Sequence, residues 1–377
     1  MLPADPRRTD YPTGRSHASS RVDGPSSKQL VGQALTGQAV ARPVAGPLAV
    51  HYCAGLAGVS LRDYTLNPRC LADCVIRYYE RFRPDAVWLS ADTWVTAQAM
   101  GAPVGFPNDR QPMAGIGGPC IRSAADIDRI PPPDPASQGR WPIMLEALRY
   151  VVEAVGGETF IVACFDQYPF SLACAMMGIE QVMVKLLDDR PLVEALMQRG
   201  VEYAVAYASA LADAGADMLS GGDSPVGLIG PRLYRSAALP FERRVIAELK
   251  RRHSPPISLH ICGNATPILP DMAASEADVL ELDHQVDAVT ACRSVGPDVA
   301  IWGNLDPVGL LARAAPDEVR RATSALLSAF RTCGHKRFVI SSGCTLAIDT
   351  PAANIEAMLD AVCSRRDDWA GWLSAGA

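Results

Sequence analysis

The chain has 377 residues, of which 49% are hydrophobic, so it can bury one large core or two ordinary ones. Its formal net charge is −6 and no run of lysine and arginine is longer than the three residues 250–252, which argues against a nucleic-acid-binding surface. No stretch reaches the roughly 18 uninterrupted apolar residues of a membrane span, and the N-terminus lacks an apolar export signal. We therefore expect a cytoplasmic protein with no nucleic-acid or membrane partner, whose eleven cysteines are free thiols or metal ligands.

The first 46 residues are rich in proline, arginine, serine, aspartate and glycine and show little apolar periodicity. Such a composition is typical of a disordered arm, and we assign it no chemistry. Residues 47–377 then form the folded domain.

Within that domain, short β-branched runs alternate with longer amphipathic stretches, the pattern of strands joined by crossover helices. We predict strands at 48–53, 85–91, 159–165, 216–222, 257–262, 277–283, 299–304 and 337–343. We predict helices at 69–82, 141–155, 191–214, 231–251, 316–332 and 351–364. Eight such strands favour a (β/α)8 TIM barrel, with residues 101–139 as a long Pro/Gly-rich excursion. An open doubly wound sheet is the alternative, although no G-x-G-x-x-G follows a strand.

Barrel enzymes place their chemistry at the carboxyl ends of the strands, so polar side chains should gather there. Those at or just past a predicted strand end are Cys53, Asp92, Asp166, Asp223, His260, Cys262, Asp283, His284, Asn304, Asp306 and Cys344. Aspartate and asparagine at such positions are often helix N-caps, but histidine and cysteine are not. The histidine and cysteines are therefore the informative members of this set.

His260 and Cys262 are two residues apart on a predicted strand, so their side chains leave it on the same face. Imidazole and thiolate are ligands that Zn²⁺ prefers, and a third ligand, Cys344, would leave one coordination position open, as in catalytic zinc sites. The spacing alone does not decide this, because a buried cysteine is commonly a small apolar core residue.

Several segments resemble the uroporphyrinogen decarboxylase superfamily, whose fold is a (β/α)8 barrel. The resemblance covers most of the chain after residue 46. It includes the residues D-Q-Y-P-F-S-L-A at 166–173, similar to that family's GPFTLA segment, the L-I-G-P segment at 228–231 and the G-C pair at 343–344. The two main branches of this superfamily are distinguished by their functional residues.

Decarboxylases of the superfamily carry an RQAGRY segment whose arginines hold the propionates of a porphyrinogen. Here residues 52–57 read Y-C-A-G-L-A, so both arginines are missing, and bidentate arginine is hard to replace. Arg62 and Arg69 are the nearby alternatives. Asp92 does resemble the decarboxylase aspartate that faces the pyrrole nitrogens.

The other branch contains corrinoid-dependent methyltransferases, whose H-x-C and distant S-G-C signatures match His260, Cys262 and Cys344. The resemblance implies a zinc enzyme that transfers a methyl group between a methylated corrinoid (methylcobalamin) and a zinc-activated thiol. Because no D-x-H-x-x-G segment occurs, we expect the corrinoid to arrive on a separate corrinoid-binding protein or free.

For the remaining site residues, we expect catalytic roles for Asp92 and Asp223 and substrate contacts from Tyr168, Ser224 and His284. A carboxylate of Glu281, Asp283 or Asp223 is expected to orient His260. Two alternatives stay open, namely a decarboxylase of porphyrin biosynthesis and a non-catalytic barrel that binds a corrinoid protein.

Overall fold

A computed structural model describes residues 24–114 and 118–364, together with Trp369 and Trp372. Seven parallel strands follow one another in chain order across one sheet. They are β1 (Ala86–Leu89), β2 (Phe160–Gln167), β3 (Met218–Gly222), β4 (Ile257–Ile261), β5 (Val279–Leu282), β6 (Ala300–Leu305) and β7 (Phe338–Ser342). A separate antiparallel hairpin, Val104–Gly105 with Met113–Ala114, lies in the excursion after β1.

Residues 44–46 close the sheet into a barrel, and we call them the closing segment. The amide of Ile340 in β7 donates to the Val44 carbonyl, and the Gly46 amide donates to the Ile340 carbonyl, each at 2.9 Å. On the other side, the Asp85 amide donates to the Ala45 carbonyl at 2.9 Å, just before β1. The closing segment therefore takes the first of eight strand positions, and the fold is a (β/α)8 barrel.

The predicted first strand at 48–53 is wrong in position, because His51–Ala57 is a helix. The true first position lies a few residues earlier, where the Gly46 carbonyl accepts hydrogen bonds from the indole of Trp302 at 3.0 Å and the hydroxyl of Ser341 at 2.9 Å. A Cβ at residue 46 would lie 2.7 Å from the Trp302 ring, so only glycine fits there. Packing inside the barrel thus fixes the register of this short segment.

The helices that cover the outside of the barrel are Pro68–Phe82, Trp141–Val155, Arg190–Asp213, Leu239–Arg252, Leu269–Ala273, Ala288–Val295, Pro316–Cys333 and Ala352–Cys363. Shorter helices lie in the connections and before the barrel: Ser27–Thr36, His51–Ala57, Leu61–Leu66, Val95–Ala99, Ala124–Asp128, Pro169–Met177, Ile179–Asp188 and Gly230–Leu233.

The predicted helix at 231–251 is continuous only in its second half. A π-helical turn, Tyr234–Ala238, separates Gly230–Leu233 from Leu239–Arg252. Such turns are rare and cluster at functional sites.

The prediction of a disordered arm is wrong for the end of segment 1–46; its residues 1–23 lie outside the described residues. Ser27–Thr36 is a helix with a capping box between Ser26 and Gln29, and it buries Leu30 and Val31. The Ser27 hydroxyl donates to Asp85 at 2.6 Å, just before β1. This helix covers the amino end of the barrel, so the folded domain begins before residue 47.

Within the described ranges, no single helix is long and apolar enough to cross a membrane. The pair Pro169–Met177 and Ile179–Asp188 passes on length and composition together, but the two helices are bent by 108°.

Candidate metal centre

The carboxyl end of β4 carries two of the predicted ligands. His260 belongs to β4 and Cys262 directly follows its last residue, Ile261. The alternation of the strand brings the two side chains to the same side, and the His260 Nε2 lies 2.9 Å from the Cys262 Sγ. His260 is partly exposed and Cys262 is exposed, so the pair opens to solvent.

Cys344 reaches the same point from the carboxyl end of β7. Its Sγ lies 3.9 Å from the Cys262 Sγ, and the three potential ligand atoms all lie within 4.8 Å of one another. Across the described ranges, no second group of three His, Cys, Asp or Glu side chains is close enough to hold a metal. Closure of the barrel therefore brings together residues that are 82 positions apart.

A close approach at Gly343 holds the Cys344 turn in place. A Cβ on residue 343 would lie 2.4 Å from the backbone nitrogen of His284 and 3.0 Å from the carbonyl carbon of Asp283. Only glycine allows this contact, which seats Cys344 against the end of β5.

The neighbouring strand β5 orients His260. His260 and Glu281 are direct partners in the parallel pairing, and the His260 Nδ1 lies 3.0 Å from the Glu281 carbonyl oxygen. A proton on Nδ1 donates to that carbonyl, so that Nε2 is the ring nitrogen that faces the sulfurs. We predicted a carboxylate for this task, but a backbone carbonyl performs it.

The Glu281 carboxyl group is buried behind the histidine. Its Oε1 accepts hydrogen bonds from the hydroxyls of Ser220, at 2.7 Å, and Ser258. Burial raises the pKa of Glu281, against the opposing effects of His260 and the two hydroxyl donors. A second polar layer therefore lies between the ligands and the barrel interior.

The three ligands shift one another's proton affinity. Hydrogen bonding with the Cys344 thiol lowers the pKa of Cys262 to about 7, and the same contact raises the pKa of Cys344 to about 12. Burial acts to lower the pKa of His260, but its hydrogen bond and charge interaction with Cys344 raise it to about 9. Cys262 is thus the thiol that ionises first.

Backbone hydrogen bonds hold the segment after β4. The predicted substrate residue Ser224 accepts a hydrogen bond at its Oγ from the Cys262 amide at 3.3 Å. The Asp283 Oδ2 accepts from the Gly263 amide at 2.9 Å. Ser224 therefore lies beside a predicted ligand, and its role as a substrate contact stays a prediction.

Asp92 forms a buried ion pair that the sequence did not reveal. Its Oδ1 lies 3.0 Å from the Arg140 Nη2, its Oδ2 contacts the Arg140 Nη1, and both side chains are almost fully buried. Thr65 and the Trp94 amide fill the remaining acceptor positions. Arg140 ends a Pro/Gly-rich stretch 48 residues downstream, and nothing in that stretch signals the pairing. A catalytic role for Asp92 stays a prediction.

The other predicted residues lie at different depths. Asp223 is fully buried and accepts hydrogen bonds from both the amide and the hydroxyl of Ser171 at 2.7 Å. The Tyr168 hydroxyl is also buried and donates to the Ser258 carbonyl at 2.9 Å. His284 lies at the rim, about a third exposed, with its Nδ1 3.0 Å from the Asp283 Oδ1. Their catalytic and substrate-binding roles stay predictions.

Asp166, which we singled out only as a strand-end residue, has an unusual environment. Its φ of +69° is left-handed, and the β2–β3 register shifts between Cys164 and Gln167. The Asp166 Oδ2 accepts from the Thr96 amide at 2.8 Å, whereas no described residue donates to its Oδ1. Burial, reinforced by the charge of Asp92, raises the pKa of Asp166 to about 8.

This environment predicts a pH-dependent stability. Because the folded-state pKa of Asp166 is raised, its contribution is fully present below the unfolded pKa and is lost as the pH rises through about 8. Between the unfolded-state pKa and the folded-state pKa of Asp166, the free energy of unfolding of the wild type relative to Asp166→Asn is expected to fall as the pH rises. The slope is up to about 1.4 kcal/mol per pH unit. Asparagine also tolerates a left-handed backbone, so the variant removes the titratable carboxyl group at little backbone cost.

Urea unfolding of both proteins from pH 5 to pH 7.5 measures this difference. The exposed residue Asp109 provides a matched control, since Asp109→Asn is expected to show no such slope. A difference between wild type and Asp166→Asn that stays constant with pH contradicts the prediction.

The cluster of His260, Cys262 and Cys344 fits a zinc ion by its donor chemistry and by one distance. Two thiolates bound tetrahedrally with Zn–S bonds of about 2.3 Å lie about 3.8 Å apart, and the two sulfurs here are 3.9 Å apart. The His260 Nε2 faces the same point and would give up its proton on binding zinc. Its contact with Cys262 is short enough that a small side-chain rotation would accompany binding. The set supplies three ligands and leaves a fourth position open.

The family model for uroporphyrinogen decarboxylase (URO-D) matches residues 26–365. The chain belongs to the uroporphyrinogen decarboxylase family. Its match begins at the helix that covers the amino end of the barrel and ends just after the last described helix.

Relatives within the family carry two different activities in their names. The chain is 28% identical over 352 residues to a uroporphyrinogen decarboxylase of Gloeobacter violaceus, covering 90% of this chain and 98% of that protein. It is 32% identical over 226 residues to the methylcobamide:CoM methyltransferase MtbA of Methanosarcina acetivorans, which covers 59% of this chain and 64% of that protein.

A solved structure of a methyltransferase from Methanosarcina mazei matches the fold. It superposes with a TM-score of 0.80 at 24% identity and covers 91% of this chain and 99% of its own. A B12-independent methionine synthase from Shewanella sp. W3-18-1 superposes at 0.57 with 12% identity. Both likenesses concern the barrel itself.

Proposed function

We propose that this chain is a zinc-dependent methyltransferase, which transfers a methyl group between a methylated corrinoid and a thiol acceptor. The observation that carries the proposal is the meeting of His260, Cys262 and Cys344 at the rim of the barrel. One nitrogen and two sulfurs with a fourth position open form a donor set typical of catalytic zinc.

A zinc ion held there would deprotonate an acceptor thiol and keep its sulfur close to the methyl group. The chain's own residues prepare that place: Glu281 fixes the His260 ring through its carbonyl, and Ser224 holds the Cys262 backbone. In the proposed reaction the acceptor sulfur bonds to the methyl carbon. The carbon–cobalt bond breaks, and its electron pair stays with cobalt.

The proposed methyl donor is a corrinoid on a separate protein, and the surface of the rim supports such a partner. Every exposed large apolar side chain among the described residues lies in a connection that follows the carboxyl end of a strand. These side chains are Met113, Ile179, Val184, Leu187, Leu228, Val308 and Ile348. We call this set, whose members follow five of the seven strands, the apolar ring; exposed apolar side chains of this kind are typical of a protein-binding surface.

A negative charge introduced into the apolar ring is expected to slow methyl transfer from a corrinoid protein but not from free methylcobalamin. Leu187 is 79% exposed, so Leu187→Glu disturbs the surface and not the core. We expect methyl transfer from a purified corrinoid protein to lose about 10-fold in kcat/KM, with transfer from free methylcobalamin within about 2-fold of wild type.

Thr36→Glu is the control for this variant, because Thr36 lies in the helix at the opposite, amino end of the barrel. It should change neither rate. Equal losses with both donors in Leu187→Glu would contradict a docking role for the apolar ring.

A decarboxylase is the second candidate function, supported by the names of relatives such as that of Gloeobacter violaceus. The arginines expected to bind the substrate carboxylates are missing or have other partners, which argues against this function. The segment without arginines is the helix His51–Ala57, Arg62 donates to the Phe106 carbonyl at 2.6 Å, and Arg69 is exposed beside Asp73. The third alternative, a non-catalytic barrel that binds a corrinoid protein, predicts a chain without transfer activity.

The test of the proposed function uses the full chain loaded with zinc and mixed with methylcobalamin. A panel of coenzyme M, homocysteine and other thiols serves as acceptors. We expect at least one thioether product together with the absorbance of cob(I)alamin. Zinc-loaded protein that methylates none of these thiols, with either free or protein-bound corrinoid, would overturn the proposal.

A further inference from the structure

Two carboxyl groups lie side by side behind the metal centre, away from solvent. Asp223 follows β3, Glu242 belongs to the helix Leu239–Arg252, and both residues have no exposed surface. The Asp223 Oδ1 accepts from Ser171, and the Glu242 Oε2 accepts from the Tyr234 hydroxyl at 2.7 Å. The oxygens left without a donor are the Asp223 Oδ2 and the Glu242 Oε1.

These two remaining oxygens satisfy each other only if they share a proton. Asp223 and Glu242 are each other's carboxyl neighbours, and no Lys, Arg or His side chain is among the groups that act most strongly on either of them. Two adjacent buried carboxylates without a cation would repel each other strongly. Burial accordingly raises the pKa of Asp223 to about 6, and burial with the charge of Asp223 raises the pKa of Glu242 well above its usual range.

The pair is connected to His260 and Cys262, at the carboxyl end of β4, through contacts with their backbone. The Asp223 amide donates to the His260 carbonyl at 2.8 Å, and the next residue, Ser224, accepts from the Cys262 amide at 3.3 Å. Contacts that hold Asp223 in place therefore also hold the backbone of His260 and Cys262 in place. Tyr234, which holds Glu242 from the other side, begins the π-helical turn.

We propose that Glu242 is a positioning residue for the metal centre, acting through its hydrogen bond to Asp223 and the contacts of residues 223–224 with His260 and Cys262. Glu242 touches no ligand and no reacting atom. The inference rests on the metal site of the proposed function, but not on the identity of the methyl donor or acceptor. It also assigns the fully buried Asp223 a supporting task.

The test compares metal binding by Glu242→Ala and Glu242→Gln, with Zn²⁺ and Co²⁺ alone as the probes. Glutamine can donate its amide to Asp223 and accept from Tyr234, so it keeps every contact without the shared proton. Alanine leaves the Asp223 oxygen unpartnered. Removing a residue that holds a metal ligand in place typically lowers the metal affinity 10- to 100-fold.

We expect Glu242→Ala to bind Zn²⁺ about 10- to 100-fold more weakly and to change the thiolate-to-cobalt absorption of the Co²⁺ protein. Glu242→Gln is expected to remain within about 3-fold of wild type with an unchanged Co²⁺ spectrum. Glu248→Ala, at a partly exposed position on the same helix, is the matched control. Tyr234→Phe, which removes one donor to Glu242, is the milder variant if Glu242→Ala does not fold, and should shift affinity in the same direction.

Unchanged Zn²⁺ affinity and Co²⁺ spectrum in Glu242→Ala, or in Tyr234→Phe where that variant replaces it, would overturn the inference and leave Glu242 a purely structural residue. Equal losses in Glu242→Gln and Glu242→Ala would also overturn it. Wild-type protein that binds neither ion would refute the metal site itself. Wild-type protein that binds zinc but methylates no thiol would refute the proposed function and leave this inference standing.

Discussion

Replacing Cys262 with alanine is expected to reduce the zinc content from about one ion per chain to less than about a tenth of an ion and to abolish methyl transfer. Cys262 contacts both other predicted ligands, since its sulfur lies 2.9 Å from the His260 Nε2 and 3.9 Å from the Cys344 sulfur. The remaining two ligands do not complete a tetrahedral site.

The barrel itself should remain folded in this variant. Cys262 is exposed and follows the end of β4, so its side chain contributes little buried apolar area to the core. Zinc analysis by mass spectrometry after dialysis, together with the thermal unfolding curve, measures both parts. Cys120→Ala, at a partly exposed cysteine in the excursion, is the control and should keep its zinc. Full zinc occupancy in Cys262→Ala would show that His260, Cys262 and Cys344 are not the ligand set.

The second large effect concerns substrate class: uroporphyrinogen is expected neither to bind tightly nor to lose carbon dioxide with this protein. A porphyrinogen carries several carboxylates, and charge-assisted bidentate contacts from arginine are the usual way to hold them. The helix His51–Ala57 contains no arginine, and its residues His51, Tyr52, Cys53 and Ala54 are buried.

The measurement is product formation from uroporphyrinogen by the metal-free and the zinc-loaded chain, analysed by chromatography. A uroporphyrinogen decarboxylase run in parallel shows that the substrate is intact. Coproporphyrinogen formed at a catalytic rate by either form would reverse the order of the two candidate functions. Thiol methylation without coproporphyrinogen would support methyl transfer over decarboxylation.

Much of the barrel was predictable because its signals are local. The helices Trp141–Val155 and Pro316–Cys333 lie within one residue of their predicted bounds, since apolar spacing and proline at a first turn act over short distances. The first strand and the helix Ser27–Thr36 were misjudged for the opposite reason. The closing segment is defined by contacts with β7 and with Trp302, and the early helix by contacts at the amino ends of strands far along the chain.

The candidate centre shows the same division between local and distant information. The His260–Cys262 spacing is local, and Cys344 was recognisable from its Ser-Gly-Cys turn. Two partners were not recognisable, namely Arg140 for Asp92 and Glu242 for Asp223. An ion pair or a shared proton between distant residues leaves no periodic trace in the sequence. The expected carboxylate behind His260 is a backbone carbonyl, which no side-chain pattern can reveal.

The sequence by itself determined the alternation of strands and helices, the residue types at the strand ends and the loss of the arginine clamp, because each depends on residues a few positions apart. The tertiary structure decided which strand position the closing segment fills, how His260 is oriented and which buried acids lack a cation. Those properties arise when the barrel closes and burial removes water, so that a polar group must find its partner wherever the fold has placed one.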